Sequence, residues 1–130
     1  MKQLHLSVLA VMLTLVTSAA AGTLDGQSFV GEVGKIGDSQ SDTPDELIFA
    51  DGRFRSTDCD QYGFSSAEYT SETVDGKVQF STTTRSDDGT MIVWKGTIDG
   101  RAAEATFTWI KERRFWFDVR QEYWFKGTRK

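Results

Sequence analysis

The chain has 130 residues, 38% hydrophobic, 12% aromatic and 26% charged, with one proline. That is too apolar for disorder and lacks a collagen-like glycine period, and the length predicts one domain with one core. The formal charge of −4 is unevenly spread: residues 22–75 carry 12 acids against 3 bases, and residues 76–130 carry 7 against 11. An acidic chain meets Coulomb repulsion on approach to phosphate, which argues against a general nucleic-acid partner. The basic end from Lys111 to Lys130 reads as a solvated face.

At the N-terminus, Lys2 precedes an apolar run from Leu4 to Val16, which ends in Thr17-Ser18-Ala19-Ala20-Ala21. This is the pattern of a signal peptide over 1–21, with an apolar stretch too short to span a bilayer and cleavage after Ala21. It predicts a periplasmic or secreted protein whose single domain is 22–130, without stable membrane insertion. His5 is the only histidine and would leave with that segment. Histidine triads, His-ligated zinc and His general bases are then excluded, and no nucleophile has an evident base. Neither a metal nor another cofactor is expected. Cys59 is the only cysteine, so no internal disulfide can form; a buried core position is its expected place.

There is no asparagine, so hairpin turns fall to Asp-Gly, at Asp25-Gly26, Asp51-Gly52, Asp75-Gly76, Asp88-Gly89 and Asp99-Gly100. The last four sit between runs rich in Val, Ile, Thr, Phe and Trp, and each supplies the positive φ that a tight hairpin needs. Strands are predicted over 28–34, 45–50, 53–57, 67–74, 77–86, 90–98, 101–110 and 115–127, with a short turn within 58–66. About eight such strands form an all-β, antiparallel up-and-down meander closing into a small barrel. Its interior is either just filled or holds one small ligand.

Counting outward from the turns gives register. A two-residue turn at Asp99-Gly100 sets Lys95 opposite Glu104 and Trp94 opposite Ala105. A three-residue loop over 87–89 sets Phe80 opposite Gly96 and Thr82 opposite Trp94. Further back, Tyr69 faces Thr82, Ser71 faces Phe80 and Phe49 faces Phe54. The inner face then holds Leu47, Phe49, Phe54, Tyr69, Ser71, Phe80, Thr82, Ile92, Trp94, Phe107 and Trp109, joined by Phe117 and Val119 if the last loop has three residues.

Hydroxyls at Tyr69, Thr82 and Thr84 beside Trp94 and Trp109, with small Gly96 and Ala105, could line a ligand cavity or a packed core. The cavity reading makes Trp94, Trp109, Tyr69, Thr82 and Phe80 the ligand-binding set, with Tyr62 or Phe64 carried across the mouth on a lid. The same segment could instead plug the barrel end. Asp38, Asp42, Asp45 and Glu46 lack calcium-loop spacing and read as a solvated acidic loop. Trp116 and Trp124 alternate to the outside, where they could meet a protein partner. An enzymatic rival needs two converging carboxylates, and Asp58 or Asp60 with Glu68 is the pair to inspect.

The meander resembles the calycin group of small barrels, the lipocalins and avidins. The run from Trp94 to Ala105, with Trp109, is similar to the avidin strand pair whose tryptophans line a pocket, which implies the same role for Trp94 and Trp109. The chain also resembles exported proteobacterial proteins of unknown function. That likeness rests on Phe-x-Ser-x-x-Cys-x-x-Tyr-Gly-Phe, here Phe54 to Phe64, and on Tyr-Trp-Phe-Lys-Gly, here Tyr123 to Gly127. The expected function is an exported, non-enzymatic binding protein for a small hydrophobic or heterocyclic ligand. Alternatives are a protein-binding or inhibitory module and a paired-carboxylate hydrolase.

Overall fold

The computed structural model describes residues 22–112 and 119–130. The expected signal segment, Trp116 and Phe117 lie outside the described residues. Eight strands follow in order: β1 Gln27–Lys35, β2 Thr43–Ala50, β3 Arg53–Ser56, β4 Ala67–Val74, β5 Lys77–Arg85, β6 Met91–Asp99, β7 Ala102–Lys111 and β8 Val119–Arg129. A 3-10 helix, Asp58–Tyr62, lies between β3 and β4. Each strand pairs antiparallel with its sequence neighbour and β8 pairs back onto β1, so the sheet closes and, among the described residues, leaves no edge strand.

The Asp-Gly turns fix most of the register. Asp51 and Gly52 have φ of 53° and 73°, and Asp75 and Gly76 have 52° and 78°, the doubly positive pattern of a type I′ turn. They align Phe49 with Phe54, Tyr69 with Thr82 and Ser71 with Phe80. The loop over 87–89, with Gly89 left-handed, aligns Phe80 with Gly96 and Thr82 with Trp94. These pairings are those expected.

The β6–β7 hairpin departs from expectation. Asp99 remains in the strand opposite Ala102, and the turn is Gly100-Arg101 with positive φ on the glycine alone, as a type II′ turn requires. Every pair is thereby displaced by two residues: Lys95 faces Thr106, Glu104 faces Thr97, and Trp94 faces Phe107. A two-residue shift preserves which face a side chain is on, so the inner face survives while its partners change.

Phe49 lies at the centre of that face, meeting Phe29, Phe54, Tyr69 and Phe80 edge-on at centroid distances of 5.0–6.0 Å. Beside it Trp94, Phe107 and Tyr123 form a three-ring stack across β6, β7 and β8, with centroids 4.1 and 5.1 Å apart. On β8 the buried inner residue is Phe125, while Val119 is exposed because it stands at the strand end. Both barrel ends are covered. Beyond the start of β3, residues 22–26 tuck Leu24 into the core; beyond its end, the 3-10 segment inserts Cys59 and Phe64.

Candidate functional site

The interior residues expected to grip a ligand grip one another. The Trp94 ring is fully buried, stacked on Phe107 on one side and tilted against Phe54 at 4.9 Å. Phe80 is buried against Phe49 and Phe54. Thr82 donates to Glu68 O at 2.7 Å, and Tyr69 donates to Asp25 Oδ1 at 2.7 Å. Burial, then the bond to Asp25, pushes the Tyr69 phenol well above the usual tyrosine range. Trp109 is half-buried at the mouth, met edge-on by Phe64 at 5.1 Å and by Tyr62 at 5.4 Å. Tyr62 is 55% exposed and caps Trp109 from outside, whereas Phe64 is buried.

The segment from Thr57 to Phe64 plugs this end of the barrel, with Cys59 and Phe64 buried. Asp45, buried on β2, accepts from Ser56 Oγ at 2.6 Å, from Glu46 N at 2.7 Å and from Asp58 N at 3.0 Å, tying the start of the 3-10 helix to the wall. Burial pushes the Asp45 carboxyl above its ordinary value and the neighbouring Cys59 thiol up to about 12. Gly63 ends the helix with φ 82°, which turns Phe64 inward. Asp45 is thus removed from the acidic loop. Among the described residues no group of three His, Cys, Asp or Glu side chains is placed to hold a metal.

The carboxylates considered for hydrolysis are not poised for it. Asp60 is gripped by both Nε and Nη2 of Arg55, whose hydrogen bonds hold it below the ordinary carboxylate range. Glu68 is exposed on the outer face opposite Arg53. Trp124 is on the outer face, as alternation requires, yet it is half-buried. It covers Gly34 of β1 and donates Nε1 to Asp38 O at 2.9 Å.

An open concavity lies outside the barrel. A groove of about 740 Å³ crosses β4 to β8 between two rows of outward side chains. One row, in ladder register, is Thr70, Ser81, Lys95, Thr106 and Trp124; the other is Glu72, Gln79, Thr97, Glu104 and Lys126. Its floor is the backbone of the inward row between them, including Gly96 and Ala105. Four inter-strand spacings make it about 19 Å long. Two carboxylates and two ammonium groups cancel, leaving hydroxyls, one amide and an indole as its chemistry. Thr70 and Ser81 hydroxyls already pair at 2.9 Å, and Lys126 Nζ stands 5.8 Å from the Trp124 ring centre.

No family model, curated protein or solved structure matches the chain. Apart from Trp124, the groove residues are missed by a sequence reading aimed at the interior. The alternation that places Trp94 inside places Lys95 outside, and two rows become one groove only once five strands are aligned. No helix among the described residues is long and apolar enough to cross a membrane.

Proposed function

We propose that the protein is an exported, non-enzymatic binding module that takes a linear, neutral, hydrogen-bonding ligand of the oligosaccharide class along the outer groove. The observation that carries this is the contrast between a barrel interior stacked ring on ring and an outer groove walled by hydroxyls, an amide and Trp124. The half-buried Trp124 indole at one end supplies apolar surface beside the hydroxyls, while a net-neutral wall disfavours a strongly charged guest. Glu72 and Glu104 are three strand spacings apart in their row, roughly 14 Å, beyond the about 5–10 Å of a hydrolytic carboxylate pair. Binding is therefore the better reading than cleavage. The calycin resemblance supports a barrel built for binding, with its Trp94 and Trp109 serving as core and mouth residues.

Calorimetric titration with neutral and charged oligosaccharides tests this. Neutral chains should bind, with affinity reduced about tenfold or more in Trp124→Ala and in Thr106→Val. Affinity for none of the neutral chains, or affinity indifferent to both substitutions, would overturn it.

One observation keeps a second, interior reading. Trp94 Nε1 and Thr84 Oγ1 are buried and find no hydrogen-bond partner among the described residues. Such orphans are uncommon in a packed core, and a small acceptor-bearing guest between β5 and β6 would satisfy them. Native mass spectrometry of the protein purified from its own compartment should then show an added mass that Trp94→Phe loses.

A further inference from the structure

At the barrel end beyond the start of β3, the Asp25 carboxylate collects three donors. Oδ2 accepts from Gly22 N at 2.9 Å and from Gly52 N at 2.8 Å, and Oδ1 accepts from the Tyr69 hydroxyl at 2.7 Å. Tyr69 in turn accepts from Leu24 N at 3.1 Å, and Asp25 N donates to Gly22 O at 3.0 Å. Residues 22–25 thus fold back on themselves with Leu24 buried beneath. Position 22 takes no side chain, because a Cβ there would run into the Tyr69 hydroxyl and ring. Gly22 is also the residue that follows the expected cleavage motif Ala19-Ala20-Ala21.

We infer that Asp25 is the receptor for the α-ammonium that cleavage of the Ala21–Gly22 bond creates, so that removal of residues 1–21 sets an ion pair at this end of the barrel. The cleavage is a hydrolysis by a signal endopeptidase. Water supplies the hydroxyl to the Ala21 carbonyl, the C–N bond breaks, and Gly22 N gains protons to become an ammonium opposite the new Ala21 carboxylate. A neutral amide donor is thereby replaced by a cation on the same carboxylate oxygen, a charge-assisted hydrogen bond where an ordinary one stood. The inference rests on the cleavage expectation and is independent of the groove.

The ionisable groups facing this nitrogen are Asp25 and Tyr69, with Asp51 and Arg53 flanking Gly52 on the β2–β3 turn. Among the described residues no lysine or arginine forms a salt bridge with Asp25. The hydrogen bond from Tyr69, followed by those from Gly52 and Gly22, holds Asp25 below its ordinary value, so it is anionic at neutral pH. An ammonium paired with it has its pKa raised. The stability it adds is complete below the ordinary α-amino range of about 7.7–8.0 and is lost as pH rises through the raised value.

The test uses the full chain, expressed for export with ¹⁵N-glycine. Intact mass of the exported product should give Gly22 as its first residue. Titration of the Gly22 nitrogen by NMR should give a pKa above about 8.0, falling back to the ordinary range in Asp25→Asn. A different mature N-terminus, or an ordinary pKa in the unsubstituted protein, overturns the inference. So does a raised pKa that Asp25→Asn leaves unchanged. If Asp25→Asn does not fold, Nα-acetylation of the unsubstituted exported protein replaces it. Acetylation should lower Tm by roughly 1–5 °C at pH 6, with no difference above the raised pKa; equal Tm values at pH 6 overturn the inference.

Discussion

Trp94 and Phe107 stand directly opposite each other on β6 and β7 and stack with their rings 24° apart. Phe107 takes the Trp94 ring face on which a guest would have stacked. The stack is therefore a core element, and Trp94→Ala should cost about 3–5 kcal/mol in urea unfolding. Trp94→Phe should cost clearly less than half of that, because it loses part of a ring and also deletes the buried, unpartnered Nε1. Equal costs for the two substitutions would contradict this packing.

Gly96 lies under the Phe80 ring, and a Cβ there would strike that ring and come within 2.9 Å of the Ala105 Cβ. Phe80 is itself held by Phe49 and Phe54, so it has little room to yield. Gly96→Ala should destabilise by about 1–3 kcal/mol despite its better β propensity. Combining it with Phe80→Leu should recover part of the loss, a coupling readable in a double-mutant cycle.

Cys59 should alkylate slowly in the native protein at pH 8, since its thiol is buried and pushed up to about 12. Removing the carboxylate that ties down the plug exposes it. Asp45→Ala leaves Ser56 Oγ and Asp58 N without this acceptor, costing roughly 2–4 kcal/mol and accelerating iodoacetamide labelling several-fold or more. Labelling unchanged in Asp45→Ala would mean that Asp45 does not hold the plug.

The barrel is legible in the sequence because Asp-Gly turns and alternation are local signals. Phe49 opposite Phe54 and Phe80 opposite Gly96 each follow from one loop and a count. The slip at Asp99-Gly100 arises because a glycine serves equally well as the second residue of a type I′ turn or the first of a type II′ turn. Phe125 is placed inside by the same alternation that puts Trp124 outside, but its partner Ala105 is set by the connection before β8, whose length no local motif declares. The groove escapes for a different reason. Lys95, Thr97, Glu104 and Lys126 look like ordinary solvent-facing residues until four successive pairings bring them into two rows. Trp124 shows the same limit. Alternation places it outside, but only closure of β8 onto β1 puts Gly34 beneath it and Asp38 against its indole N–H.

Acid should unfold the protein with two opposing contributions. Asp25, Asp60 and Asp88 are held below their ordinary values, mainly by hydrogen bonds from Tyr69, Arg55 and Ser86 respectively, and Asp88 is lowered to about 2. Their stabilisation is present above 3.8 and is lost as pH falls through those lowered values. Asp45 runs the other way. Its carboxyl is raised by burial, so its contribution is complete below 3.8 and declines as pH rises through the raised value. Melting curves across about pH 2–7 should therefore show Asp45→Asn gaining on the parent as pH rises above 3.8, with the steep loss below it unchanged. Asp88→Asn should instead lose the part of the acid transition that reaches down to about pH 2. Parallel curves for Asp45→Asn and the parent over the whole range would show that the Asp45 carboxylate is no harder to ionise in the barrel than in the unfolded chain.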